Sequence, residues 1–175
     1  MYRILQHSIA IIALLITASA LNGCATADVL GSKALEYVFA PDPTVVQASI
    51  RVADDVNPDS RGRPSPVKTR FYLLETVSVF NSADFYQLKE QGRELLDKDL
   101  KLFDKKVFKP GDREDMEFSL PPEEIEVDKL YFAVMVGYWD LDHSEWRAVL
   151  EIEAGETTEV VVDIARSDVS IKQID

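Results

Sequence analysis

The residues of this 175-residue chain whose types could do chemistry are few: one cysteine, Cys24, two histidines, His7 and His143, and two short acidic runs. Cys24 closes the stretch Leu21-Asn22-Gly23-Cys24, directly after the thirteen apolar or small residues from Ile9 to Leu21. A lone thiol excludes an intramolecular disulfide, a cysteine zinc cluster and a CxxC redox pair. It can instead take a diacylglycerol thioether. A leucine three positions before the cysteine and a glycine immediately before it fit the pattern of a lipobox, in which the small residue lets a peptidase reach the bond. Cleavage would leave Cys24 as the new amino terminus, whose amine can carry a further acyl chain such as palmitate. Two or more acyl chains give the stable membrane attachment that one does not. The competing reading is a cysteine buried at the end of an N-terminal helix.

The other candidates are weaker. His7 lies before Cys24, which leaves His143 as the single histidine after it, and no GxSxG, glycine-rich phosphate loop or HExxH occurs. A His-Cys or His-Ser pair would need Cys24 or an unmarked serine, so the chain is not expected to be an enzyme. Asp140-Leu141-Asp142-His143-Ser144-Glu145 places acidic or hydroxyl residues at alternate positions, with Glu151 twelfth from Asp140. A helix-loop-helix calcium loop needs glycine sixth and a following helix; here Glu145 is sixth and a strand pattern follows, so a solvated turn is expected, with no cofactor or metal. Glu123, Glu124, Glu126 and Asp128 read as a charged loop opened by Pro121-Pro122. Trp139 and Trp146 bracket the acidic turn, either as core anchors or as exposed contact residues.

The best functional candidate is the stretch from Val56 to Pro66, VNPDSRGRPSP. Pro58, Pro64 and Pro66 lower the entropy lost on docking, Arg61 and Arg63 interrupt an acidic chain, and Gly62 permits a tight bend. The alternative is a purely structural connection between strands.

These residues must be positioned by the surrounding elements. Arg3, the free amine and the apolar run fit a secretory signal peptide over residues 1–23, since about 20 apolar residues are needed to cross a bilayer. Residues 24–43 form a lipidated N-terminus and tether, with helical spacing at Leu30, Ala34, Leu35 and Val38, broken by Pro41 and Pro43; short packed helix and stalk both remain open. Over residues 44–175 the period is mainly two. Val46, Ala48, Ile50 and Val52 alternate with polar residues, as do Val67, Thr69, Phe71 and Leu73. Phe85, Leu88, Leu95, Leu96, Leu100 and Phe103 instead recur at helical spacing. This predicts a helical insertion near 82–103, capped by Asn81 or Ser82 with Phe80 as a staple, weakened at Gly92, and covering an edge or end of a sheet. Leu130 to Trp139 is apolar on both faces and reads as the most buried strand. Short strands and one helix predict an all-β antiparallel sandwich of about seven strands.

Hydrophobic residues at 46% and charged ones at 29% belong to a folded globular chain, with one domain expected. The net charge of -12 repels phosphate backbones and argues against nucleic acid as a partner.

Several motifs recur together in one order: the LNGC lipobox; Asn57-Pro58-Asp59 followed by Gly62-Arg63-Pro64-Ser65-Pro66-Val67; Phe80-Asn81-Ser82-Ala83-Asp84-Phe85 with Leu88; Lys109-Pro110-Gly111; the apolar strand ending in Tyr138; and Trp146-Arg147-Ala148. On these the chain resembles the outer-membrane lipoprotein of the bacterial type VI secretion system, the family called TssJ, VasD or SciN. The resemblance implies a transthyretin-like β-sandwich with an added helical segment. It implies attachment to the periplasmic face of the outer membrane through acylated Cys24, the delivery also expected from Ala25, which stands where an Asp would resemble the inner-membrane retention signal of enterobacterial lipoproteins. It further implies binding to the periplasmic C-terminal region of an inner-membrane TssM-like protein, forming part of a membrane complex. The implied contact is the loop between the first two strands, here Asn57, Pro58, Asp59, Arg61, Gly62, Arg63, Pro64, Ser65 and Pro66. The segment from Leu88 to Lys109 is longer and more charged than the family pattern. The rival function, a periplasmic lipoprotein binding a small molecule, peptide or glycan, would require a concave apolar pocket with convergent polar groups.

Overall fold

Along β1 (Thr44–Val52), Val46, Ala48, Ile50 and Val52 are buried while Gln47 and Arg51 are exposed, as the two-residue period requires of a strand with one face on a core. The computed structural model describes residues 42–174; the signal segment, Cys24 and the tether up to residue 41 lie outside the described residues. After β1 come β2 (Val67–Leu74), α1 (Ser78–Ser82), α2 (Phe85–Leu96), β3 (Leu100–Phe108), β4 (Arg113–Leu120), β5 (Lys129–Gly137), β6 (Arg147–Glu153), β7 (Thr157–Ile164) and β8 (Val169–Gln173). The strands form two four-stranded sheets, ordered β4-β1-β7-β8 and β3-β2-β5-β6. All pairs are antiparallel except β1 with β7. Among the described residues no helix is long and apolar enough to cross a membrane.

The all-β sandwich is the predicted class, with two corrections of detail. Among the described residues there are eight strands, the eighth, β8, being too short, with only Val169 buried, to show a period. The helical spacing extended to Phe103, whereas α2 ends at Leu96 and β3 begins at Leu100. The cause is a β-bulge: Leu73 pairs with Leu102 but Leu74 with Leu100, so Lys101 is the extra residue. Leu100 and Phe103, three apart, therefore reach the same apolar cluster, and their spacing imitates a helix.

Two clusters hold the molecule together. Between the sheets, Phe71, Phe118 and Phe132 pack with ring centroids 5.1 to 6.2 Å apart, surrounded by the inward residues of β1, β5 and β7. Burying each such ring contributes about 1.5–3 kcal/mol. The second cluster lies on the outer face of β2 and β5, where Phe80, Leu88 and Leu96 of the helices cover Tyr72, Leu74, Ala133 and Met135. The helices thus cover a sheet face and not an edge or end. β5 is apolar on both sides because both its sides are covered.

Local chemistry sets where the helices start and how they are held. Asp84, not Asn81 or Ser82, caps α2: its carboxylate accepts from Gln87 N at 2.8 Å, while Gln87 Oε1 accepts from Asp84 N at 3.0 Å. Asn81 and Ser82 lie in α1, and Phe80 is fully buried beneath it. The weak point expected at Gly92 falls one residue earlier, at Gln91 (φ -126°, ψ 15°). Arg70 donates to the carbonyls of Leu88 and Lys89 at 2.9 Å, next to that kink. Arg147 donates to Phe80 O at 2.7 Å and Ala83 O at 2.9 Å, satisfying carbonyls that α1 leaves open.

The registers bring four connections to one end of the sandwich. Val67 lies opposite Phe108, Lys68 opposite Gly137, Met135 opposite Arg147, Val52 beside Ile164, and Ile164 opposite Val169. The β1–β2, β3–β4, β5–β6 and β7–β8 connections therefore cluster together. Thr44 and the β6–β7 turn mark the opposite end, with Asp42 O beside Gly155. Nine residues of strand separate the two ends, ~30 Å.

Candidate docking site

The β1–β2 loop is rooted by Val56, whose side chain is fully buried in the core, and by Asn57, 7% exposed at φ 48°. Asn57 Nδ2 donates to Pro66 O at 3.0 Å, which ties the two ends of the loop together. Its Oδ1 accepts from Trp139 N at 2.6 Å, and its backbone N donates to Arg166 O at 2.9 Å. The hydroxyl of Ser65 donates to Asn57 O. One asparagine thus fastens the loop to both the β5–β6 and β7–β8 connections. Asn is the non-glycine residue best suited to positive φ.

Asp59 organises the tip. Its Oδ1 accepts from the backbone N–H groups of Arg61 at 2.8 Å and Arg63 at 3.0 Å, and its Oδ2 accepts from Arg63 Nε at 2.9 Å and Nη2 at 2.6 Å. The Arg63 guanidinium, followed by the two backbone N–H groups, holds the Asp59 carboxyl below its ordinary value of 3.8. Gly62, at φ 75°, makes the bend, donating its N–H to Asp59 O at 2.8 Å. The two arginines consequently differ. Arg63 is engaged inside the loop, whereas Arg61 is exposed and its guanidinium has no side-chain partner among the described residues. Pro64 and Pro66 are exposed and Pro58 is half-buried.

The neighbouring loops are held in the same manner. Tyr138, 6% exposed, donates its hydroxyl to Asp168 O at 2.6 Å, and burial pushes its phenol well above the ordinary value of 10. Glu145 N donates to Ser167 O at 3.0 Å, and Val169 N to Glu145 O at 3.1 Å, so a short bridge joins the β5–β6 and β7–β8 loops. Arg166 lies 3.4 Å from Asp55. The two tryptophans take opposite roles. Trp146 packs edge-on against Phe85 at 5.4 Å beneath Arg147, while the Trp139 indole is 72% exposed beside the loop.

Among the described residues no group of three His, Cys, Asp or Glu side chains is placed to hold a metal ion. Asp140 contacts His143 Nδ1 at 2.9 Å and raises the imidazole pKa. Glu151, the twelfth residue of the calcium pattern, lies in β6 and pairs with Lys129 of β5. Glu123, Glu124, Glu126 and Asp128 fall in the β4–β5 connection, part of it a short 3-10 turn at the far end of the sandwich. The arrangement is suited to presenting a fixed surface: a rooted, cross-linked loop, one free guanidinium and one exposed indole.

Comparison with known proteins gives three findings. The chain matches, over residues 44–167, the family model described as type VI secretion lipoprotein, VasD, EvfM, TssJ. Among solved structures, the T6SS lipoprotein TssJ1 from Pseudomonas aeruginosa is 25% identical, with a TM-score of 0.67 over 77% of this chain and 98% of that one. Serratia marcescens Lip, a membrane-bound component of the type VI secretion system, is 20% identical with a TM-score of 0.61, covering 77% of this chain and 97% of that one. A chain of a type VI membrane complex is also 20% identical, with a TM-score of 0.60 over 75% of this chain and 98% of that one. None of the curated proteins compared matches the chain.

Proposed function

The chain belongs to the type VI secretion lipoprotein family, and from that premise we propose that it is fastened by acylated Cys24 to the periplasmic face of the outer membrane and docks the periplasmic C-terminal region of an inner-membrane TssM-like protein. The docking surface is the β1–β2 loop, Asn57, Pro58, Asp59, Arg61, Gly62, Arg63, Pro64, Ser65 and Pro66, flanked by the β5–β6 and β7–β8 loops. The role is mechanical: a lipid foot holds a rigid sandwich, and the sandwich holds out a preformed loop.

The observation that carries this reading is the internal bonding of the loop at the end of β1 opposite Asp42. A surface ordered before it binds loses less entropy on binding. Arg61 adds an uncommitted charge-assisted donor to that surface.

The test is calorimetry of the full chain in neutral detergent against the periplasmic domain of a co-encoded TssM-like protein. The expected outcome is a Kd below about 10 μM, weakened roughly tenfold by Arg61→Glu. Absence of binding at about 50 μM overturns the reading.

A further inference from the structure

A groove of about 490 Å³ runs between α2 and the β5–β6 loop, on the helix-covered side of the second sheet. Two large aromatics stand exposed at its rim, Trp139 at 72% and Tyr86 at 62%. Neither is loose. The Trp139 backbone N–H is held by Asn57 Oδ1, and Phe85 packs edge-on against Tyr86 at 5.6 Å. Residue 137, on the floor of the groove, is glycine; a Cβ there would sit in ordinary contact with Lys68 O at 3.5 Å and Phe85 Cζ at 3.6 Å.

The second property of the groove is its charge. Lys68 and Arg70 lie opposite Gly137 and Met135 in the register of β2 with β5, and Arg70 lies opposite Lys105 on β3. Lys89 and Arg93 reach the same region from α2, where Glu90 and Glu94 are the opposing carboxylates. The groove itself is lined by three cations, Lys68, Arg70 and Lys89, and by no carboxylate; an adjoining hollow adds Arg93 and Lys105 against Glu90 and Glu94, with Glu90 3.5 Å from Lys89, on a chain whose net charge is -12. Lys68 and Lys105 have no ion-pair partner among the described residues. Arg70 donates to neutral carbonyls and Arg93 lies over the Phe103 ring at 4.7 Å, so neither charge is neutralised.

Exposed Trp and Tyr beside Lys and Arg is the composition of an energetic hot spot in protein association, and a local positive field selects a negative partner. A second copy of this chain carries the same -12 and is repelled overall. We propose that this groove docks an acidic segment of a partner protein, its apolar side chains lying between Trp139 and Tyr86 and its carboxylates on Lys68, Lys89 and Lys105. The site shares the exposed Trp139 indole with the loop surface but is lined by none of the residues from Asn57 to Pro66.

The experiment uses the full chain in neutral detergent and two peptide probes about 12 residues long, one of Glu and Leu and one of Lys and Leu, both free of tryptophan. The chain has two tryptophans, and Trp139→Phe identifies which reports binding. The Glu/Leu peptide is expected to shift Trp139 emission to the blue with a Kd of about 10–100 μM, the Lys/Leu peptide to leave it unchanged, and Lys68→Glu with Lys89→Glu to weaken binding at least tenfold with unaltered circular dichroism. Arg61→Glu, which weakens the loop contact, is expected to leave peptide affinity unchanged, so the two surfaces fail independently. No emission shift at about 1 mM, equal response to both peptides, or indifference to the double charge reversal overturns the proposal. Stronger displacement of the peptide by phosphatidylglycerol vesicles at equal charge reassigns the groove to a lipid surface. A dimer in sedimentation that Lys68→Glu dissolves reassigns it to self-association.

Discussion

Asn57 and Asp59 do different kinds of work in the β1–β2 loop, and substitutions should separate them. Asn57→Ala leaves the Trp139 N–H and the Pro66 carbonyl without their partner and puts a Cβ-bearing residue without a polar side chain at positive φ. A loss of roughly 2–4 kcal/mol is expected in urea unfolding, with Asn57→Gly costing about 1 kcal/mol less because glycine removes the backbone part. Asp59 is at the exposed tip, so its effect is on loop order and not on global stability. Its folded pKa is depressed below 3.8, so its contribution is complete above about pH 4 and is lost as the pH falls through the folded value. In an NMR titration the Arg61 and Arg63 amide resonances should hold still from neutral pH to about pH 4 and move below it. A midpoint at the ordinary 3.8, or no movement, would show that Asp59 does not bind these groups. The residue types of the loop were legible in the sequence, but the division of labour between Arg61 and Arg63 was not, since it depends on which guanidinium the Asp59 carboxylate can reach.

The helices are kept on the sheet by a few directed bonds as well as by apolar contact. Arg147→Met keeps the packing of the side-chain stem over Trp146 but removes both donors to Phe80 O and Ala83 O. The expected cost is roughly 2–4 kcal/mol, with hydrogen-exchange protection lost first in α1. Asp84→Ala breaks the capping box and should cost about 1 kcal/mol, with exchange increasing in the first turn of α2. If protection in α1 survives Arg147→Met, apolar contact alone holds that helix. At this scale the alternation of β1, β4 and β7 was readable because each has one face inside and one outside, and that of β2 only up to Phe71, after which the helices cover its outer face as well. β3 was not, because its bulge brings Leu100 and Phe103 together at a helical interval.

Across the described sandwich, the two ends are set apart by the length of β1. The four loops lie at one end of the sandwich and Asp42, the first described residue, at the other. Cys24→Ser should move the chain from the membrane to the soluble fraction, or leave residues 1–23 attached, as read by fractionation and intact mass. Native protein whose residue 24 carries no lipid would remove the anchoring half of the proposal. The acidic balance repels polyanions, and the cationic groove beside Trp139 is a local exception to it.

What the sequence determined by itself was whatever depends on neighbours along the chain: the two-residue period of a sandwich strand, the turn chemistry of Asn57 to Pro66, and the spacing of Leu21, Gly23 and Cys24 on which the proposed lipidation rests. What only the tertiary structure decided depends on residues distant in sequence. Asp84 rather than Ser82 capped α2, the helices took a face of the sheet and not its edge, and Trp146 went inward while Trp139 stayed exposed. Asn57 and Trp139 are joined across 82 positions. Periodicity states that a residue must face something apolar or something wet, and only the register of strands far apart in the chain states which partner that is.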